Sequence, residues 1–62
     1  MRIIVEYDAD IGDITAEFEK DADGMELIRA RCMGVDITPA LSSTFIDILA
    51  DNAWDIYYEG GE

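Results

Sequence analysis

The sequence is 62 residues long and carries fifteen carboxylates against four basic side chains, so its formal net charge is −11 at pH 7. This length predicts one small acidic domain over residues 1–62, which would bury only about 60% of the surface that the unfolded chain exposes. Half of the residues are hydrophobic, which excludes a disordered acidic tail. The sign of the charge opposes direct binding to nucleic acid and to anionic membranes.

The chain has one cysteine, Cys32, and no histidine. A single thiol cannot form an internal disulfide, and without histidine the chain lacks a zinc ligand set and a Ser-His or Cys-His nucleophile pair. We therefore expect no enzymatic activity, no metal ligands and no cofactor, in a protein of the reducing cytoplasm. No apolar run approaches the roughly 20 residues that span a membrane.

Alternation of apolar and polar residues predicts two β-strands in the first third of the chain. The first runs from Arg2 to Asp8 and the second from Ile14 to Glu19. The residues between them, 9–13, favour a turn, and a second turn is expected at 21–24, where Gly24 can adopt a positive φ. The two strands are therefore expected to pair antiparallel and to bury one face.

The segment 25–33 fits a helix or a strand, since its good helix formers also alternate in polarity. As a strand, it would place its two arginines, Arg29 and Arg31, across from two glutamates of the second strand, which pairs opposite charges. Those glutamates are Glu17 and Glu19. The short turn before the segment agrees with this pairing, so we predict a third strand.

The last third of the chain predicts one amphipathic helix. Thr38 is a favourable N-cap, and Pro39 suits the first helical position. Apolar residues then recur at intervals of three and four. The helix is expected to run from Pro39 to about Tyr58 and to be stopped by Gly60 and Gly61.

These elements predict an α+β fold with the order β-β-β-α. A three-stranded antiparallel β-meander would carry one C-terminal amphipathic helix packed on one face. The expected core combines one face of each strand with one side of the helix: Ile3, Val5, Tyr7, Ile14, Ala16, Phe18, Ile28, Ala30, Cys32, Leu41, Phe45, Ile48, Leu49 and Ile56.

Four carboxylates recur at intervals of four on the predicted helix: Asp47, Asp51, Asp55 and Glu59. We call them the acidic stripe, since on a helix this spacing places them on one side, about 6 Å apart along the axis. Each neighbouring pair costs roughly 0.2–0.5 kcal/mol, and no basic residue follows Arg31. A slowly winding line of negative charge imitates a nucleic-acid backbone, which predicts binding to a basic protein surface. The alternative is a solvated face that serves only solubility.

Two aromatic residues, Trp54 and Tyr58, fall beside the acidic stripe and outside the main apolar arc of the predicted helix. Exposed Trp and Tyr are favoured anchors in protein interfaces, so both are assigned to the partner-binding surface. The alternative for Trp54 is packing within the chain. Further apolar residues widen the arc beyond what one sheet face needs, which predicts a homodimer seam: Ile46, Ala50, Ala53 and Tyr57.

Two loops also carry clustered carboxylates. The segment 19–24 matches the opening of an EF-hand loop, but its twelfth position is Ala30, where a bidentate Glu is required. Asp21 and Asp23 therefore predict an ordinary turn, with weak divalent-cation binding as an alternative. The other loop supplies a second acidic patch that would extend a partner surface: Asp8, Asp10 and Asp13.

In its small size, its acidity and its acidic stripe, the chain resembles the DNA-mimicking anti-restriction and anti-CRISPR proteins that phages encode against host defence. The resemblance implies a non-enzymatic inhibitor that acts in the host cytoplasm. It would block the basic surface of a nuclease or another nucleic-acid-binding complex. No segment matches a family motif, so no residue role is carried over. The alternative is a small structural or assembly protein that forms a homo-oligomer.

Overall fold

The computed structural model describes residues 1–60, in which an antiparallel sheet is followed by one C-terminal helix. Three long strands follow one another along the chain: β1 (Arg2–Ala9), β2 (Gly12–Asp21) and β3 (Gly24–Cys32). Neighbours in sequence are neighbours in the sheet. The predicted meander is therefore confirmed, including the assignment of the ambiguous third segment as a strand.

The sheet has four strands rather than the predicted three. The fourth, β4 (Val35–Asp36), is two residues long and pairs antiparallel with the end of β3. Met33 and Gly34 connect them with positive φ angles of 53° and 84°, as a tight type I′ hairpin turn requires. A two-residue strand shows no alternation of polarity, which is why the sequence pattern does not reveal it.

The strand β3 contains a bulge that overturns one predicted core position. Glu17 pairs with Arg29, but the next residue of β2, Phe18, pairs with Leu27, so Ile28 has no partner in the register. An extra residue reverses the alternation of side chains beyond it. Ile28 is therefore 43% exposed rather than buried, and Leu27 packs against the core instead.

The predicted charge pairing across β2 and β3 is half right. Arg29 lies opposite Glu17, and its guanidinium is 2.8 Å from the Glu17 carboxylate. Antiparallel strands run in opposite directions, so two residues further along β3 means two residues earlier in β2. Arg31 consequently lies opposite Thr15, and not opposite Glu19.

The helix begins later than predicted, at Ser43 rather than at Pro39. Thr38 is not its N-cap. The Thr38 hydroxyl accepts a hydrogen bond from the Ala30 backbone N–H at 2.8 Å and donates one to the Asp36 carboxylate at 2.7 Å. These bonds hold Thr38 against the outer edge of β3, where it starts only a 3-10 turn that ends after Ala40.

The helix α1 (Ser43–Gly60) takes its N-cap from Ser42, whose hydroxyl oxygen accepts a hydrogen bond from the Phe45 N–H at 3.1 Å. The extended backbone of Leu41, with ψ of 136°, separates α1 from the 3-10 turn. The helix continues to Gly60, two residues beyond the predicted end. The predicted stop at Gly61 lies outside the described residues.

The core lies between α1 and one face of the sheet, as predicted. Three further predicted members, Tyr7, Leu41 and Phe45, are partly buried against it, and the rings of Tyr7 and Phe45 meet edge to face at 5.3 Å. The buried side chains come from β1, β2, β3 and α1: Ile3, Val5, Ile14, Ala16, Phe18, Ala30, Cys32, Leu49 and Ala53.

The helix is rotated about its axis relative to the prediction, although Phe45 and Leu49 face the sheet as predicted. Ile48 and Ile56 are 40% and 41% exposed, whereas Ala53, which was not predicted, is fully buried beside Leu49. Apolar residues cover more than half of the helix circumference, so their pattern does not fix which side of the helix faces the sheet. Fully buried alanines on both layers, including Ala53 and Ala30, allow the helix backbone to approach the sheet closely.

Candidate functional site

The acidic stripe lies on the side of α1 that faces solvent. Asp47, Asp51, Asp55 and Glu59 are all exposed, on the side opposite the one that packs on the sheet. Within residues 1–60, no ion pair involves any of these four carboxylates. The stripe is therefore a continuous anionic surface that the described chain does not neutralise.

The arginines lie on the opposite side of the molecule, on the open face of the sheet. Arg2 and Arg29 approach the Glu17 carboxylate to 3.4 Å and 2.8 Å, and Arg2 also lies 3.2 Å from Glu19. The hydrogen bond from Arg29 is the main cause that lowers the pKa of Glu17. Arg31 is exposed on the same face. Cationic side chains thus balance carboxylates on the sheet and not on the helix.

The aromatic side chains Trp54, Tyr57 and Tyr58 form a cluster at the C-terminal end of α1, which we call the aromatic cluster. The rings of Trp54 and Tyr58 stack with centroids 5.6 Å apart, and Tyr57 meets both edge to face. Tyr58 is 69% exposed, whereas Trp54 and Tyr57 are half-buried. Trp54 therefore packs within the chain, which is the alternative predicted for it, and it also borders the acidic stripe.

Lys20 completes the aromatic cluster through a contact that the sequence pattern does not indicate. Its ammonium group lies 5.6 Å from the ring centroid of Trp54 and 5.2 Å from that of Tyr57, within cation–π range. The order and direction of the strands and the helix could have predicted this contact. In an antiparallel meander, β3 ends opposite the start of β2. A helix that then returns along the sheet therefore finishes near the end of β2, where Lys20 lies.

The second acidic patch lies on the open sheet face and in the turn beside it. Asp8 and Asp13 are directly opposite each other across β1 and β2, and both are exposed. They line a shallow depression of about 450 Å³ with Glu6 and Thr15, while Asp10 lies in the adjoining turn. The acidic stripe lies on the other side of the sheet. A single flat partner surface cannot therefore contact both sets of carboxylates.

The carboxylate of Asp21 forms hydrogen bonds within the β2–β3 turn. Its Oδ1 accepts hydrogen bonds from the backbone N–H groups of Asp23 at 2.8 Å and Gly24 at 3.2 Å. This is the behaviour of an ordinary Asx turn. In the part of the chain that the structure describes, no group of three or more acidic, cysteine or histidine side chains is placed to hold a metal ion.

The residues of the predicted homodimer seam pack against the chain's own sheet. Ala53 is fully buried, and Ile46, Ala50 and Tyr57 are half-buried. Ala50 and Tyr57 contact the core cluster directly. This side of α1 is therefore occupied within one chain, and any pairing of two chains would need another surface.

The chain matches no protein-family model, and no curated protein or solved structure is significantly similar to it. None of the helices within residues 1–60 has the length and apolar character needed to cross a membrane. The function is therefore inferred from the surface of the molecule alone.

Proposed function

We propose that this protein is a non-enzymatic inhibitor that covers a basic, nucleic-acid-binding surface of a partner protein by imitating a nucleic-acid backbone. The partner is a nuclease or another nucleic-acid-binding complex in the host cytoplasm, and the inhibitor is a phage-encoded anti-defence protein of the anti-restriction or anti-CRISPR type. The observation that carries the proposal is the acidic stripe, whose carboxylates are exposed and have no basic partner among residues 1–60.

The spacing of the acidic stripe sets the size of the surface that it can cover. From Asp47 to Glu59 the stripe extends about 18 Å along α1, with one charge about every 6 Å. Each strand of DNA carries one phosphate per roughly 3.4 Å of helix axis. The stripe therefore presents roughly half the linear charge density of one strand over the length of about five base pairs.

The aromatic cluster would supply the part of the binding energy that charge alone does not. Charges at the rim of an interface mainly raise the association rate, whereas well-packed aromatic side chains contribute most to affinity. Tyr58 is 69% exposed and stacks on Trp54 directly beside the stripe. A guanidinium group of a basic partner can stack on such a ring while it pairs with Asp55.

The test compares two variants that change the net charge equally. The double substitution Asp51→Asn/Asp55→Asn neutralises the centre of the stripe. The control, Asp23→Asn/Glu26→Gln, neutralises two exposed carboxylates outside the helix. Wild-type protein would first be used to capture partners from a bacterial lysate at low salt. Each captured nucleic-acid-binding protein would then be titrated with inhibitor in the presence of a fluorescent DNA duplex.

We expect wild-type protein and the control variant to displace the duplex, with an affinity that falls as salt rises. The stripe variant should compete roughly tenfold less well. Equal competition by the stripe variant and the control would show that only the net charge matters. Failure of the wild-type protein to displace the duplex from any captured protein would contradict the proposed mechanism.

A further inference from the structure

The strand β1 forms one edge of the sheet. Met1 and Lys20 exchange two backbone hydrogen bonds, of 2.8 Å and 3.0 Å. Such pairs alternate along an antiparallel ladder, and the β1–β2 register is uninterrupted, so the odd-numbered residues of β1 bond to β2. The backbone N–H and C=O groups of the even-numbered residues therefore point away from the sheet: Arg2, Ile4, Glu6 and Asp8.

The opposite edge of the sheet is protected in three ways that β1 lacks. β4 covers the end of β3, the Thr38 hydroxyl accepts a hydrogen bond from the Ala30 N–H, and the bulge at Ile28 interrupts the ladder. Natural edge strands are usually shortened, bulged or covered, because they otherwise pair with other chains. β1 keeps eight residues without a bulge or a proline.

We propose that two copies of this protein pair through β1, antiparallel, with the twofold axis passing through Ile4. In this register Ile4 lies opposite the partner's Ile4, and Arg2 lies opposite the partner's Glu6. All of these residues direct their backbone groups outward, so every facing pair exchanges N–H to C=O hydrogen bonds. The two sheets then continue as one sheet across the axis.

The side chains of β1 complement their own copies in this register. Along the open face they read cationic, apolar and anionic, at Arg2, Ile4 and Glu6. Pairing covers Ile4, which is 46% exposed in the single chain, and places an opposite-charge pair on each side of it. A register shifted by two residues would instead set Ile4 against the partner's Glu6, an apolar side chain against a carboxylate.

The affinity of this dimer is expected to depend on salt in the opposite direction from the affinity of the proposed inhibitor for its partner. Each chain carries a net charge of −11, so two chains repel each other at long range, and salt screens that repulsion. The dimer should therefore become more stable as salt rises. Binding of the acidic stripe to a basic partner should weaken under the same conditions. Failure of one proposal can thus be told apart from failure of the other.

The first experiment is sedimentation equilibrium at low and high salt. Wild-type protein is expected to dimerise more tightly at high salt. Ile4→Lys places two ammonium groups against each other at the axis and should raise the dissociation constant roughly tenfold or more. The control Ile28→Lys alters a similarly exposed isoleucine, two strands away from the edge, and should dimerise as the wild type does. A wild type that stays monomeric, or an equal affinity for Ile4→Lys, would overturn the proposal.

The second experiment uses disulfide trapping to test the register even if Ile4→Lys folds poorly. Facing residues in a hydrogen-bonded antiparallel pair have Cα atoms about 5.5 Å apart, within the range of roughly 4.4–6.8 Å that disulfides span. Ile4→Cys should therefore cross-link on mild oxidation. Glu6→Cys would place its two thiols four residues apart, about 13 Å along the strand, and should not.

Wild-type protein is the control for Cys32, whose thiol is buried. A covalent dimer of Ile4→Cys on a non-reducing gel, without one from Glu6→Cys or the wild type, would support the proposed axis. Equal cross-linking of the two variants, or none with Ile4→Cys, would rule that axis out.

Discussion

Neutralising the centre of the acidic stripe should stabilise the protein. Asp51 and Asp55 take part in all three neighbouring pairs of the stripe, each of which costs roughly 0.2–0.5 kcal/mol. Both side chains are exposed, so replacing them loses no packing, and Asn and Asp have similar helix propensities. The double variant Asp51→Asn/Asp55→Asn should therefore raise the free energy of unfolding by about 0.6–1.5 kcal/mol.

Thermal unfolding followed by circular dichroism would measure this gain. For a domain of this size, 1 kcal/mol shifts Tm by about 4–8 °C, so a rise of about 2–12 °C is expected at low ionic strength. In 1 M salt the gain should shrink, because the screening length falls to about 3 Å. That is shorter than the separation of about 6 Å between neighbouring stripe residues.

The matched control for this prediction is Asp10→Asn/Asp23→Asn. It changes the net charge by the same amount at two exposed turn positions, where Asn is as acceptable as Asp. If the control raised Tm as much as the stripe variant, the repulsion would belong to the molecule as a whole and not to the stripe. An unchanged or lower Tm for the stripe variant would refute the claim that its carboxylates destabilise the helix.

Two further predictions concern the N-cap and the sheet. Ser42→Ala removes the oxygen that accepts a hydrogen bond from the Phe45 N–H and should lower the free energy of unfolding in urea by about 1 kcal/mol, whereas Ser43→Ala should change it little. Folding lowers the pKa of Glu17, chiefly through the hydrogen bond from Arg29. The ionised carboxylate therefore stabilises the folded protein, and this stabilisation is lost as pH falls through the folded-state pKa. Glu17→Gln should therefore reduce the stability difference between neutral pH and about pH 3, and an unchanged difference in urea titrations would contradict this.

The strands were predictable because each has one buried and one exposed face. In β1 the side chains of Ile3 and Val5 are buried and their even-numbered neighbours are exposed, and β2 alternates in the same way around Ala16. A period of two in the sequence then reports directly on the fold. The predicted meander followed from these patterns together with short turns, and it required no knowledge of distant contacts.

The bulge at Ile28 was not predictable, because it depends on how β3 pairs with β2 and not on β3 alone. The rotation of α1 has a similar cause. Apolar residues surround most of the helix, and only contact with the sheet selects Leu49 and Ala53 for burial. Thr38 is a third case. It is a favourable N-cap residue, but its hydroxyl accepts a hydrogen bond from the Ala30 N–H at the edge of β3, and it does not cap the helix.

In the candidate site, too, features set by local sequence were predictable, and features set by contacts between distant elements were not. Exposure of the acidic stripe follows from the sequence, because carboxylates at intervals of four cannot be buried without partners. The aromatic cluster was predictable only in part. Trp54 and Tyr58 are close in sequence, whereas Lys20 reaches them only because the end of α1 returns to the end of β2.

The position of the charges, more than their number, requires an explanation. A surface that serves only solubility intersperses charges of both signs, as the sheet does where Glu17 is paired with arginines. On α1 the carboxylates repel one another, and Glu59 lies in the last turn, where the helix dipole disfavours an anion and where the helix itself has no basic residue. Lys20 reaches this end of α1 from β2, but its ammonium group lies over the rings of Trp54 and Tyr57. An arrangement that costs stability in the free protein is expected where the opposing charge comes from a partner. That is the reason to propose the stripe as a binding surface.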